Sequence, residues 1–505
     1  MSTIRKQSII SSGLVYIGFG LGFLYTILFA RGFTPGQYGL TQMFLALGSI
    51  MYYVANLGMP SFIYKFYPYY RDHLSPRRND MLTWALIVTI IGFLFVVAGG
   101  LIFKGFVIRK FSNESPGVVR YYAWMFPYGF GLSLYSLLEA YAWQLKRSVL
   151  TNYFREVQLR VFNILLVVLY YVGWLKGFDA FVKLYALGYL VLAICLITYL
   201  VLHRELHFTM RVSRVTRRFF RKIVAQASLV WSGQLLYNVS LFFAQIVIAA
   251  VVPGGLKYVG IYSLAQIVAS LIQAPQRGII AASIGPLSQA WKNKDYARID
   301  RIYKRSSINQ LIFSVGMFIL IWLNFRDGVL TFHLKLDYLE AQRPFLFIGL
   351  MKIIDMGTGV TNQIIGTSTF WRFDFFTGVI LTALTLPVNY FLTKTVGFTG
   401  PAIADLVTFT LYNAIRWIFL YRKFDMQPFD LKSVYTLLLG GIGWWLCEFL
   451  FGRAGGFGSI VLRSLVFIAI FGGGTLALRL SDDVGPVWMT VKKRLAAAMG
   501  RPRKV

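Results

Sequence analysis

Long apolar runs fill most of the chain and are separated by short polar connections that are mostly basic. Most runs contain roughly 20 residues or more, and a helix of that length crosses ~30 Å of hydrocarbon at 1.5 Å per residue. The pattern predicts an all-α integral membrane protein with about fourteen transmembrane helices. The predicted spans are Ile9–Ala30, Tyr38–Tyr64, Met81–Phe103, Val118–Trp143, Phe154–Trp174, Phe181–Leu202, Ile223–Val252, Tyr258–Ile284, Ile308–Asn324, Pro344–Ile365, Phe375–Thr393, Pro401–Leu420, Val434–Phe451 and Ile460–Leu478.

Composition agrees with a membrane protein, and the position of the charges argues against a nucleic-acid partner. The 505-residue chain is 57% hydrophobic and 14% charged, with a net charge of +31. A soluble domain carries nearly twice that charged fraction. So high a positive charge would suggest nucleic acid in a soluble protein, but here the cations lie between the apolar runs. We therefore expect no nucleic-acid partner.

The basic connections also predict an orientation. With Arg5 and Lys6 placed in the cytoplasm, the cytoplasmic connections outnumber the outer ones in Lys and Arg by roughly 35 to 13, as the positive-inside rule requires. An even number of spans returns the C-terminus to the cytoplasm. The connection 204–222 is basic with interleaved aromatic and aliphatic residues, which fits either a helix on the anionic inner leaflet or a solvated linker.

An internal repeat with a shift of 221 residues aligns Gly39 with Gly260, each near the start of a span after a short outer turn. Polar positions of the two spans then coincide at steps of seven, three and four, so each set is predicted to share one helical face. The matched positions are Gln42 and Ser263, Ser49 and Ser270, Tyr52 and Gln273, and Asn56 and Arg277. Six spans separate the copies, so the repeat is predicted to be parallel.

The stretch from Phe29 to Arg71 carries a resemblance to a known family. It contains a first helix ending in Arg31, a Thr-Pro turn, Tyr38-Gly39 opening the next helix, and Asn-Leu-Gly-Met from Asn56 to Met59. This stretch resembles the amino-terminal hairpin of Wzx-type polysaccharide flippases, in the multidrug/oligosaccharidyl-lipid/polysaccharide exporter superfamily.

The resemblance implies two parallel-repeat six-helix lobes, MATE/MurJ-like, followed by two C-terminal helices. It also implies a flippase in the bacterial cytoplasmic (inner) membrane that carries a polyprenyl-pyrophosphate-linked oligosaccharide, with basic lumen residues holding the pyrophosphate. We expect a monomer that contacts membrane lipids. The predicted parts are an amino-terminal lobe over 1–203, a basic linker over 204–222, a carboxy-terminal lobe over 223–424, two further helices over 425–480 and a basic cytoplasmic tail over 481–505.

Polar side chains inside the spans supply the candidate site. In the eighth span Ser263, Gln266, Ser270, Gln273 and Arg277 fall on one face of an otherwise apolar helix. Because an Arg in hydrocarbon costs ~3 kcal/mol or more, this stripe should line a wet cavity or pack on a polar neighbour. The predicted head-group residues are Arg31, Asn56, Gln234, Asn238, Gln266, Gln273 and Arg277. The amides of the seventh span could instead join helices, and Arg31 could reach the interface.

Three carboxylates within spans are candidates for coupling to H⁺ or Na⁺, namely Glu139, Asp355 and Asp405. A desolvated carboxylate can exchange a proton. The alternatives are pairing of Asp355 with Lys352 on the same helix, and pairing of the other two with cations on other helices. Cys195 and Cys447 lie in apolar runs, so we expect no disulfide, metal or cofactor.

Two other functions remain open. A multidrug or cation antiporter of the same superfamily would have twelve spans and an acidic lumen. A membrane polymerase or ligase would need catalytic groups, yet the four histidines lie in connections and no nucleophile-base-acid set appears. We therefore expect a protein that is not an enzyme.

Overall fold

The computed structural model describes residues 3–452 and 455–483, and within these ranges the regular structure is helical, with no strand. The first ten α-helices are α1 Thr3–Gly32, α2 Pro35–Ala55, α3 Met59–His73, α4 Met81–Ile102, α5 Lys104–Phe111, α6 Pro116–Arg120, α7 Tyr122–Gln144, α8 Ser148–Asn152, α9 Leu159–Tyr171 and α10 Phe178–Leu202. The others are α11 Arg214–Val251, α12 Gly255–Ser270, α13 Gln276–Lys292, α14 Tyr296–Thr331, α15 Gln342–Gly357, α16 Thr361–Gly366, α17 Trp371–Val396, α18 Gly400–Phe424, α19 Leu431–Phe451 and α20 Phe457–Ala477.

Each predicted span overlaps at least one of these helices, so the all-α membrane fold is confirmed. In the described part of the chain, nine helical stretches are long and apolar enough to cross a membrane, or ten with the bent pair α2 and α3. One stretch, Arg372–Phe424, contains both α17 and α18. The count of fourteen stays a prediction. Of the predicted tail 481–505, residues 484–505 lie outside the described residues.

The hairpin between the first two spans is present and has a clear local cause. Pro35 occupies the first turn of α2, where its missing N–H costs nothing. The Thr34 hydroxyl accepts from the Gln37 N–H at 3.3 Å, and the Thr34 N–H donates to the Gln37 side chain at 2.8 Å. This capping box starts α2 within two residues of the end of α1.

Two spans that the sequence predicts as continuous are broken. α2 ends at Ala55, and α3 begins at Met59 with a bend of 47°. The eighth span ends as α12 at Ser270, passes through a 3₁₀ turn and restarts as α13 at Gln276, next to Pro275. The helical periodicity therefore does not run unbroken from Ser263 to Arg277. The prediction of one shared face across that span is wrong beyond Ser270.

The chain forms two compact units, Met1–Gly260 and Ile261–Val505. In the first unit α7 packs against α2, α3, α4 and α10 around an aromatic core that includes Phe44, Tyr128 and Tyr185. In the second unit α14 packs against α15, α19 and α20, while α18 lies between α15 and α17. The predicted lobe boundaries stay a prediction.

The basic connection 204–222 is divided between two structures. Its first ten residues have no helix, whereas α11 begins at Arg214 and continues into the seventh predicted span. Buried Asp80 accepts from the Ser213 N–H and the Thr216 hydroxyl, both at 2.8 Å. Only residues 214–222 of the basic segment are helical, and they form the first part of the 38-residue helix α11 rather than a separate surface helix.

Candidate functional site

Asp355 in α15 is the centre of a polar cluster in the second unit. Its carboxylate accepts hydrogen bonds from the side-chain amides of Gln276 at 3.1 Å, Gln273 at 3.4 Å and Asn413 at 3.4 Å. These amides come from both sides of the break after α12 and from α18. Asp355 therefore holds the interrupted eighth span and α18 together, and it brings two predicted site residues, Gln273 and Asp355, into contact.

Lys352 and Asp405 complete this group, which we call the Asp355 cluster. Lys352 interacts electrostatically with both Asp355 and Asp405, although no nitrogen–oxygen distance within 4 Å joins it to either carboxylate among the described residues. All three side chains are half-buried. One cation thus lies within electrostatic range of two carboxylates on different helices, in addition to the interaction of Lys352 with Asp355 that the spacing predicts.

Arg277 lies next to the Asp355 cluster in sequence but outside its hydrogen bonds. It is the second residue of α13 and is exposed. No hydrogen bond or ion pair joins its guanidinium to any residue in the described part of the chain. An Arg on a membrane helix needs water or an anion, so Arg277 is available to an anionic ligand.

The other predicted head-group residues are dispersed. Arg31 is exposed in the last turn of α1, and Gln266 is half-buried in α12. Asn56 is buried, and its side chain accepts from the Gly58 N–H at 2.7 Å, which shapes the break before α3. Asn238 is buried and donates to the Gln234 carbonyl at 2.8 Å. The contacts of Asn56 and Asn238 are structural.

Glu139, a predicted coupling residue, belongs to a charged group in the first unit that sequence reasoning missed. Its carboxylate accepts from Arg155 Nη1 at 3.2 Å, and Glu156 pairs with Arg160 at 2.9 Å. Arg155 and Glu156 lie on a π-helical turn, Tyr153–Gln158, that leads into α9. The predicted span Phe154–Trp174 contains both arginines, but neither is among the predicted site residues.

Two further buried arginines hold helices of the second unit. Arg416 in α18 is 1% exposed and pairs with Asp374, with the Asn362 amide oxygen as another acceptor. Arg463 in α20 pairs with Asp327 in α14 at 2.9 Å. Neither arginine is among the predicted site residues, although an Arg inside each of the predicted spans Pro401–Leu420 and Ile460–Leu478 was a signal.

Solved structures of low sequence identity share this fold. A lipid II flippase MurJ in an inward closed conformation matches over 93% of this chain and 99% of its own, with a TM-score of 0.72 and 12% identity. An inward-facing MATE-family multidrug resistance transporter of the MOP superfamily matches over 83% and 98%, with a TM-score of 0.62 and 14% identity. A MOP superfamily transporter from Pyrococcus furiosus matches over 83% and 96%, at 0.52 and 12%.

The fold and the charged helices define a multi-pass membrane protein with the fold of MOP superfamily transporters. The family described as polysaccharide biosynthesis protein matches residues 4–291, more than half of the chain. The chain therefore belongs to that family. A comparison with curated proteins finds no match.

Proposed function

We propose that this protein is a flippase for a polyprenyl-pyrophosphate-linked oligosaccharide in the biosynthesis of a surface polysaccharide such as O-antigen, capsule or exopolysaccharide. It would act by alternating access in the cytoplasmic membrane, with both termini in the cytoplasm and without catalysing a reaction. Membership of the polysaccharide biosynthesis family and likeness in fold to a lipid II flippase support this proposal.

The observation that carries the proposal is the exposed Arg277, which has no carboxylate partner among the described residues although it follows an apolar span. A guanidinium can bind a phosphate through two parallel hydrogen bonds. The neighbouring Gln273 and Gln276 add amide groups beside the same break. We propose that Arg277 holds the pyrophosphate and that Gln266 of the same unit contacts the head group. Arg31 and Gln234, in the first unit, stay predictions.

We further propose that the Asp355 cluster couples transport to H⁺ or Na⁺. Asp355 and Asp405 both interact electrostatically with Lys352. Binding or release of one H⁺ or Na⁺ at either carboxylate therefore changes the net charge of the whole Asp355 cluster. Because Asp355 also joins the broken eighth span to α18, such a change would act directly on helix packing. Glu139 pairs with Arg155 in the first unit, so we do not include it in the coupling group.

The test uses a bacterial strain whose surface polysaccharide depends on this protein. Arg277→Ala should abolish export, and Arg277→Lys should retain part of it, at unchanged protein levels in the membrane. Arg211→Ala, in the non-helical linker, is the matched control and should export normally. Normal export by Arg277→Ala would remove that residue from the site.

The proposed activity is tested separately with purified protein in vesicles that contain a fluorescent lipid-linked oligosaccharide. Translocation by the wild-type protein is the expected result. If the vesicles show drug efflux coupled to a cation gradient and no lipid translocation, the protein is an antiporter instead. Sugar transfer by the purified protein would make it an enzyme.

A further inference from the structure

We propose that the first unit carries a saccharide-binding site made by Arg155, Tyr64 and Trp143, which binds a sugar ring of the transported oligosaccharide. This inference rests on the proposed function and names residues for its sugar part, separate from Arg277 and the pyrophosphate. We call these three residues the Arg155 site.

Arg155 is fixed at one end and open at the other. Its single hydrogen bond in the described part of the chain runs from Nη1 to Glu139 at 3.2 Å. The Arg155 side chain is 54% exposed, whereas that of Glu139 is 7% exposed. The other nitrogens of the guanidinium are therefore positioned donors without acceptors. A rigid planar fork of this kind suits two neighbouring hydroxyl groups of a sugar.

Glu139 supplies a second and independent indication of a ligand. The residue is 5% exposed, and its Oε1 atom has no hydrogen-bond partner among the residues that the structure describes. A buried carboxylate oxygen without a donor is costly unless something else satisfies it. A hydroxyl group beside Arg155 would provide that donor. The π-helical turn that carries Arg155 is itself a feature that occurs often at functional sites.

Tyr64 and Trp143 form an aromatic platform beside the ion pair. Their rings are stacked with centroids 5.8 Å apart and an interplanar angle of 21°, and each is about two-fifths exposed. Trp143 lies one helical turn after Glu139, and its Nε1 donates to the Thr151 hydroxyl at 2.8 Å. The Tyr64 hydroxyl interacts electrostatically with both Glu139 and Arg155. Tyr64, and the Trp143 ring stacked on it, therefore lie within electrostatic range of the ion pair.

The chemistry of the Arg155 site selects a saccharide over a phosphate. Glu139 already neutralises Arg155, and Glu156 neutralises Arg160, so the four charges cancel and offer little attraction to a dianion. A sugar ring instead presents an apolar face of C–H groups to an aromatic ring and hydroxyl groups at its edge. The site provides both complements, an exposed aromatic surface and a fork of hydrogen-bond donors.

The test measures binding to the purified full-length protein in nanodiscs by tryptophan fluorescence and calorimetry. The probes are the lipid-linked oligosaccharide of the native host, the free oligosaccharide released from it by mild acid, and inorganic pyrophosphate. We expect the free oligosaccharide to bind and pyrophosphate not to displace it. Tyr64→Ala should weaken that binding roughly tenfold, as loss of one ring contact predicts.

Two conservative variants separate stacking from hydrogen bonding. Tyr64→Phe keeps the ring and should bind nearly as the wild-type protein does, whereas Arg155→Lys keeps the charge beside Glu139 and should lose binding with the donor fork. Tyr69→Ala is the control, because Tyr69 is a similarly exposed tyrosine in the same helix α3 that packs on Phe219 instead. It should bind the free oligosaccharide normally.

The outcomes are distinguishable from failure of the proposed function. If the wild-type protein translocates the lipid-linked oligosaccharide while Tyr64→Ala and Arg155→Lys bind the free oligosaccharide equally well, the Arg155 site is wrong and the flippase stands. If pyrophosphate displaces the lipid-linked oligosaccharide and the free oligosaccharide does not, the assignment of the Arg155 site to a sugar is also wrong. If the wild-type protein neither translocates nor binds the lipid-linked form, both proposals fall.

Discussion

Gly39 in α2 and Gly260 in α12 meet at a close crossing inside the first unit, and replacing either should destabilise it. A Cβ atom added at Gly39 would lie 1.8 Å from the Leu256 carbonyl oxygen, and one at Gly260 would lie 2.0 Å from the Pro35 oxygen. The obstructing atoms are backbone, so no side chain can rotate away. Pro35 and Leu256 are themselves related by the 221-residue shift, which makes the two contacts reciprocal.

The size of the effect follows from this geometry. Ordinary contact needs roughly 3.5 Å, so either alanine must push α2 and α12 apart by more than about 1 Å. Overpacking of this kind costs about 1–3 kcal/mol, against a gain of about 0.5–1 kcal/mol from replacing a helical glycine with alanine. We expect a net loss of roughly 1–2 kcal/mol for each variant, and less than the sum for the double variant, because the first alanine already separates the helices.

Unfolding of the detergent-solubilised protein, followed by circular dichroism during heating, provides the measurement. Gly233→Ala in α11 is the control, since no atom of the described part of the chain lies within 4 Å of its added Cβ atom. It should leave the melting temperature unchanged or raise it slightly. Equal changes in melting temperature for Gly39→Ala and Gly233→Ala would refute the reciprocal crossing. So would a double variant of Gly39 and Gly260 whose loss of stability equals the sum of the two single losses.

Three further predictions concern charged groups of the second unit. The hydrogen bond from Arg305 lowers the pKa of Asp483. The contact therefore stabilises the protein fully above the ordinary aspartate pKa of ~3.9, and this stabilisation is lost as the pH falls through the lowered pKa. Asp483→Asn should lower the melting temperature slightly at pH 7 and have the melting temperature of the wild type in acid. Asp405→Asn should remove the dependence of vesicle translocation on an imposed pH gradient, and unchanged dependence would exclude that residue from coupling. Arg463→Ala should cost roughly 3 kcal/mol in thermal unfolding because it leaves the half-buried Asp327 without its partner, and a loss below about 1 kcal/mol would contradict the pairing.

Apolar periodicity predicted the helices well, because twenty apolar residues in succession have few alternatives to a membrane helix. Gly32 and Pro35 lie at the first hairpin. The eighth span was predicted as continuous, although Pro275 lies at its break. The break after Ala55 was not predicted. At this break the Asn56 side chain accepts a hydrogen bond from the Gly58 N–H, and Gly58 lies too close to the Ala227 carbonyl for any Cβ atom. Such contacts leave no periodic signal in the sequence.

Charged partners were harder to predict than helices, because ion pairs join residues that are far apart in sequence or lie on irregular turns. Arg155 lies near the start of the predicted span Phe154–Trp174, where the sequence gives no sign of a partner. In the structure the π-helical turn places it against Glu139 in α7. Arg416 is buried against Asp374 of α17, 42 residues earlier. A list of charged residues within spans identifies candidates for such pairs, but only the packing of the helices selects the partners.

Helix positions follow the 221-residue shift, whereas charged residues do not. α10 and α18 begin 222 residues apart, at Phe178 and Gly400, close to the shift of 221 that aligns Gly39 with Gly260. The same shift pairs Arg155 with Phe376 and Asp405 with Leu184. Both copies need a glycine at the helix crossing, because a Cβ atom there would collide with backbone atoms of the other helix. Polar side chains are free to differ, so the sugar and ion sites proposed above each occur once.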